Sequence, residues 1–161
     1  MDTRTYNECV HQWSDPLYRF ACRCLSDSEE ARDVVQTAFT ALWEAREKVE
    51  PDKAKAWLFQ VAYRQSVNAF RRQSRLVSTD LLTEDSFVAP AYRRPNRSLE
   101  EALDRLDNQA RALVLLKDWE GYRYEEIGRI TGLSETQVKV YLHRARAQLK
   151  TYLVSVENVL S

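Results

Sequence analysis

The chain has 161 residues, room for one domain or two small ones, and its 24 basic and 24 acidic side chains cancel to a formal net charge of zero. Three glycines and four prolines are too few for the turns of a sheet-rich fold, so an all-α protein is expected. No apolar run approaches a membrane span and no N-terminal basic, apolar and cleavage pattern stands out. A cytoplasmic protein with no membrane insertion is expected.

Charge is uneven along the chain. Between Asp52 and Asp80 there is no acid, and Lys53, Lys55, Arg64, Arg71, Arg72 and Arg75 all fall there. Between Glu135 and Glu157 there is again none, and Lys139, Arg144, Arg146 and Lys150 fall there. Such stripes on an otherwise acidic chain can bind phosphate locally, although solvated helix faces carry the same pattern.

A first helix is expected from Tyr6 to Leu25, interrupted near Asp15 and Pro16, with Leu17, Phe20, Ala21 and Leu25 inward. Cys9, Cys22 and Cys24, with His11, form C-x-H and C-x-C pairs. Residues two apart on a helix diverge, so buried free thiols are expected here and no metal site. A second helix, Ser28 to Lys48, is expected to start at a capping box of Ser26 with Glu29. It carries Ala31, Val34, Val35, Ala38, Leu42 and Ala45 as one stripe, and Val35, Phe39 and Trp43 as another beside it. Two stripes exceed what a small bundle needs, so one edge is available to a partner, or else all of it is core.

A loop from Glu47 to Asp52 leads to a third helix, Lys53 to Arg75, with Leu58, Val61, Ala62 and Ala69 inward. Trp57, Phe59, Tyr63 and Phe70 place aromatic rings near Arg64, Asn68, Arg71 and Arg72. Rings stack on unpaired bases while cations hold phosphates, and rings also fill cores. Residues 77–97, with Pro90, Pro95 and no amphipathic period, read as a flexible linker. It separates a domain at 1–76 from one at 98–161.

The second domain opens with "SLEEALDRL", boxed by Ser98 and Glu101, then "DNQARALVLLKDWEGY", with Asp107 as N-cap and Gly121 after its end. "YEEIGRITGLSETQVKVYLHRARAQL" then has the spacing of a helix-turn-helix. Ile127 and Gly128 lie on the short first helix and Gly132 at the turn. Ser134, boxed with Gln137, caps the second helix, whose inner face holds Val138 and Leu142. In DNA-binding versions the second helix enters the major groove. Glu135, Thr136, Lys139, Val140, His143, Arg144 and Arg146 are then outward or flanking, dividing base contacts from phosphate contacts.

In order, "ARDVVQTAFTALW", "AWLFQVAYRQSVNAFRR", the linker and the helix-turn-helix resemble a bacterial RNA polymerase sigma factor of the sigma-70 family, extracytoplasmic-function (ECF) type. The resemblance implies a sigma-2 domain at 1–76 and a sigma-4 domain at 98–161. It implies that Asp33, Val35, Gln36, Phe39, Leu42 and Trp43 dock on the beta-prime clamp of core RNA polymerase, with the beta flap as a further contact. Lys53, Lys55, Trp57, Tyr63, Arg64, Asn68, Arg71 and Arg72 would recognise and melt the minus-ten element of promoter DNA. Glu135 to Arg146 would read the minus-thirty-five element. An anti-sigma factor partner, a monomeric free state, and the absence of any cofactor or enzymatic activity are further implications. Val140 and Tyr141 stand where the family often has Ser-Arg, trading donors for an apolar contact such as a thymine methyl. Two other readings remain open from the residues: a dimeric one-component regulator, and an adaptor that binds an anti-sigma factor by protein contacts alone.

Overall fold

The computed structural model describes the backbone of residues 1–79 and 97–160, and the side chains of 1–67 and 98–154. All regular elements among them are helical. Two compact units divide the chain, at 1–91 and 92–161. The proposed linker falls mostly on 80–96, outside the described residues. Asn68, Arg71 and Arg72 lie on a described helix, but their side chains are outside the described set.

Unit 1 is a three-helix bundle of α1 (Thr3–Leu25), α2 (Ser28–Glu44) and α3 (Ala54–Thr79), each packed on the other two. The expected break at Pro16 is absent: α1 runs through it. A proline costs its helix one backbone donor. The core anchors on either side, Cys9 before it and Leu17, Phe20 and Ala21 after it, keep the turn packed. Between α1 and α2 the caps are shifted by one residue from the expected box. Ser26 ends α1 in the left-handed region with φ 57°, and Asp27 is the N-cap of α2, accepting from the Glu29 and Glu30 amides. A charged carboxylate serves the orphan amides and also favours the positive end of the helix dipole.

The chain leaves α2 at Glu44, earlier than periodicity suggests, because Arg46 turns back. Its guanidinium donates to the Trp43 carbonyl at 2.8 Å and lies 4.0 Å from the centre of the Trp43 ring. A short 3-10 turn, Pro51–Lys53, then feeds α3. Phe20 and Phe59 meet at 5.4 Å in the middle of the bundle, where Leu17, Leu42 and Leu58 are fully enclosed.

Unit 2 contains α4 (Arg97–Arg105), α5 (Asn108–Val114) extended by a π-helical turn (Leu115–Trp119), α6 (Tyr124–Thr131) and α7 (Glu135–Leu160). Helix α7 is the spine against which α4, α5 and α6 pack. Ser98 lies inside α4 rather than capping it, since that helix begins at Arg97. Asp107 caps α5 as expected, accepting from the Ala110 amide at 2.7 Å. Gly121, at φ 74°, follows the π turn and lets the Tyr122 amide reach back to the Leu116 carbonyl.

The corner between α4 and α5 is held by a residue whose role the sequence does not announce. Arg111 is buried, and its guanidinium donates to the carbonyls of Leu103 (3.0 Å), Asp104 (3.1 Å) and Leu106 (3.4 Å). Leu103 and Asp104 lie in the last turn of α4, where carbonyls run out of regular intrahelical donors, and the Leu103 carbonyl also accepts from the Leu106 amide at 3.1 Å. One planar cation with several donors serves these two and the Leu106 carbonyl at once.

Candidate nucleic-acid and polymerase interfaces

The helix-turn-helix rests on two glycines with different tasks. Gly132 ends α6 at φ 81°, a conformation that a side chain disfavours. Gly128, in the middle of α6, is there for space: a Cβ on it would stand 2.8 Å from the Leu133 carbonyl oxygen. The turn therefore passes directly over α6. Ser134 and Gln137 exchange both bonds of the expected capping box, at 3.1 and 3.0 Å, and start α7 at a fixed point. Arg123 and Glu126 do the corresponding work at the start of α6, where the Glu126 carboxylate accepts from the Arg123 amide and guanidinium.

Val138, Leu142, Ala145 and Leu149 are buried and define the inner line of α7. At about 100° per residue, the opposite side carries Thr136, Val140, His143 and Arg144, all exposed. Val140 is 40% exposed, an apolar side chain held in solvent in the middle of that face. Glu135, Lys139 and Arg146 occupy the flank beside α6. There the side chains are engaged with their own unit. Lys139 pairs with Glu135 at 3.3 Å, and Arg146 donates to both oxygens of Asp118, at 3.2 Å through Nε. Asp118, and more weakly the Tyr124 hydroxyl, hold the Arg146 guanidinium further into its charged range. Arg146 was expected to face DNA, and the structure gives it this second attachment.

Unit 1 presents a different surface. A groove of about 790 Å³ runs between α1 and α2, lined among others by Tyr6, Asp33, Val35, Gln36, Phe39 and Thr40. At its end Tyr6 meets the Trp43 ring edge-on at 5.0 Å, and the Tyr6 hydroxyl donates to the Phe39 carbonyl at 2.8 Å. Partial burial pushes the Tyr6 hydroxyl pKa up, keeping it a donor. Trp43 remains 37% exposed under Arg46, whereas Phe39 is only 8% exposed. Asp33 and Gln36 are exposed and Val35 is half-buried on the same surface. Leu42 was expected on the docking face and must be corrected. It is wholly buried, because its spacing from Ala31, Val34 and Ala38 places it on the stripe that faces α1 and α3.

Lys53, ending the 3-10 turn, and Arg64, on α3, are exposed, Trp57 is half-buried, and Lys55 lies 4.8 Å from the Trp13 ring of α1. Tyr63 is the second correction: at 7% exposure it belongs to the core line of Leu58, Phe59, Ala62 and Ser66. Phe59, four residues before it, and Ser66, three after it, are buried too, and Tyr63 follows the same inward line. Of the cysteines, Cys9 and Cys24 are buried and all three are free thiols. Burial pushes the Cys9 thiol pKa up, away from the thiolate that metal binding needs. Among the described residues no group of three or more His, Cys, Asp or Glu side chains could hold a metal ion. Nor is any described helix long and apolar enough to cross a membrane.

A helical bundle with a surplus aromatic groove, followed by a helix-turn-helix unit, defines a protein that works by binding. Residues 9–76 match the sigma-70 region 2 family and residues 96–149 match the sigma-70 region 4 family. Over 93% of its length the chain is 31% identical to the RNA polymerase sigma-E factor of Streptomyces coelicolor, 86% of which is covered. It is also 31% identical, over 92% of its length, to the ECF RNA polymerase sigma factor SigE of Mycolicibacterium smegmatis, of whose length it spans 62%. Among solved structures, CnrH in complex with the cytosolic domain of CnrY superposes with a TM-score of 0.71 at 25% identity, covering 96% of this chain and 90% of that one. The sigma factor RpoE in complex with the anti-sigma factor NepR, from Bartonella quintana, gives 0.75 at 23% identity, covering 92% and 96%, and shares the fold. The chain belongs to the sigma-70 family of RNA polymerase sigma factors, in its ECF branch, a family of transcription-initiation factors and not of enzymes.

Proposed function

We propose that this chain binds core RNA polymerase through the α1–α2 groove of unit 1 and directs it to promoters whose minus-thirty-five element is read by α7. The observation that carries the reading is the outward face of α7. Thr136, Val140, His143 and Arg144 lie opposite a fully buried line, on a helix whose start is fixed by Ser134 and whose approach is fixed by Gly128 and Gly132. Groove-facing residues that are short or apolar at the centre and basic at the edge suit base contact flanked by phosphate contact. Asp33, Val35, Gln36 and Trp43 form the polymerase-docking surface, to which Phe39 contributes its rim. Lys53, Lys55, Trp57 and Arg64 belong to the minus-ten surface, with Asn68, Arg71 and Arg72 further along α3.

The proposed division is residues 1–76 as the sigma-2 domain, 77–97 as the linker and 98–161 as the sigma-4 domain. Control by an anti-sigma factor is part of the proposal, supported by a solved relative of the same fold that is held by one. The protein is proposed to act in the cytoplasm, as a monomer when free of polymerase.

Transcription in vitro tests this directly. The full chain and bacterial core polymerase are run on a genomic fragment pool, with start sites mapped by sequencing. Discrete starts sharing two spaced upstream elements are expected, and they are lost on changing Lys139 and Arg144 together to Ala. Unchanged starts in that variant would remove α7 as the reader.

A further inference from the structure

Two lysines on the flank of the helix-turn-helix converge on one aromatic ring. Tyr124 is the first residue of α6 and is half-buried. The Lys117 ammonium, from the π turn, lies 4.5 Å from the centre of its ring, and the Lys139 ammonium, from α7, lies 5.4 Å from it. Both are within the range at which the negative face of a ring attracts a cation. Lys117 also donates to the Tyr122 carbonyl at 3.3 Å, which ties its long chain to the same turn. A third cation, Arg146, lies on the same flank and is oriented by Asp118, the residue next to Lys117.

Lys117 and Lys139 come from separate elements of unit 2 and carry like charges. Left to themselves they would spread apart and sample many rotamers, because a long flexible side chain loses entropy when fixed. Asp118 and Glu135 offset the repulsion, but exposed ion pairs hold long side chains only weakly. The Tyr124 ring adjoins both lysines. It is also uncharged, so it gathers them without cancelling the charge that a phosphate would meet.

We propose that Tyr124 is a positioning residue that organises Lys117 and Lys139, beside the Asp118-held Arg146, into a preformed phosphate-binding cluster on the flank of the reading helix. The inference rests on α7 being the DNA reader. It adds that a residue of the other helix, with no need to touch a base, sets how many phosphates that reader neutralises. Asp118 and Glu135 hold the cations in place until phosphate oxygens replace them.

The salt dependence of binding tests this, because each neutralised phosphate adds about 0.9 to the slope of log K against log salt. The full chain bound to core polymerase is titrated with a fluorescent promoter fragment, chosen from the mapped starts, across a range of salt concentrations. Tyr124→Leu is expected to weaken binding about five- to tenfold near physiological salt and to flatten the slope by about one. Tyr124→Phe and Tyr124→Trp keep a ring and should stay within about twofold of the parent. In a Lys117→Gln, Lys139→Gln background, Tyr124→Leu should have little further effect, because its action runs through those lysines. Parental slope in Tyr124→Leu, an equal loss in Tyr124→Phe, or full additivity in the double-lysine background would each overturn the positioning role. If the double-lysine variant and Lys139→Ala, Arg144→Ala both bind like the parent, the DNA-reading assignment of α7 fails as well.

Discussion

The two units solve the problem of binding with opposite kinds of surface. The groove of unit 1 is edged by Tyr6, Val35 and a Trp43 ring left 37% exposed, so its binding energy lies in apolar area that a partner must cover. The outward face of α7 keeps one apolar residue, Val140, at its centre beside Arg144, and on its flank Lys139 and Arg146 are engaged with Glu135, Tyr124 and Asp118. A protein partner can be desolvated against aromatic rings, whereas a phosphate backbone stays hydrated and must be met by placed cations. On the proposed reading, unit 1 carries its specificity in shape, and unit 2 carries it in the orientation of long side chains.

The contrast can be broken from either side. The largest effect is expected from Leu142→Ala, which empties a fully buried position where α7 meets the rest of unit 2. A loss of about 2–5 kcal/mol should appear as faster amide exchange in α6 and α7, with α1 and α2 unchanged. Arg111→Met should come next. It leaves the Leu103, Asp104 and Leu106 carbonyls without their buried donor, at a cost of about 2–4 kcal/mol by chemical denaturation. On unit 1, Trp43→Ala should weaken core polymerase binding by about 2 kcal/mol, or roughly thirtyfold, as an aromatic anchor does. Binding of an anisotropy-labelled chain to core polymerase measures it, and an unchanged affinity would mean that the groove is not the docking surface.

Gly128→Ala sharpens the comparison because two effects oppose each other. Helix propensity favours alanine by about 1 kcal/mol. Contact at 2.8 Å with a backbone carbonyl opposes it, and backbone cannot swing aside as a flexible side chain would. Net destabilisation of about 1 kcal/mol is expected in thermal melts, together with weaker promoter binding as the turn shifts. The smallest effect concerns pH. Burial, helped by Glu120 and Glu126, raises the pKa of the Tyr122 hydroxyl well above its ordinary value of 10. The unfolded chain then releases this proton first, so the associated stability is complete below pH 10 and declines as pH rises above it. Tyr122→Phe should remove that part of the alkaline decline in a comparison of denaturation midpoints at pH 9 and pH 11.

Much of this molecule was legible from the sequence because periodicity and capping are local. The 3.6-residue repeat of Ala31, Val34 and Ala38, the Asp107 and Ser134 caps, and the Gly132 turn each depend on residues within a few positions of one another. The same local logic gave the order of helices, the two-unit division into bundle and helix-turn-helix, and the face of α7 that points outward. Tertiary structure decided what adjacent stripes could not. Leu42 and Tyr63 sit on faces where core and surface positions lie side by side, and only the packing of three helices together assigns them inward. Pro16 is carried through α1 by the core on either side of it, a compensation that no window around the proline contains. Arg111 under the end of α4, Arg146 against Asp118, and two lysines around Tyr124 join residues from separate elements. Charge in the sequence fixes how many phosphates a surface could meet. Only the folded chain fixes where each cation is held.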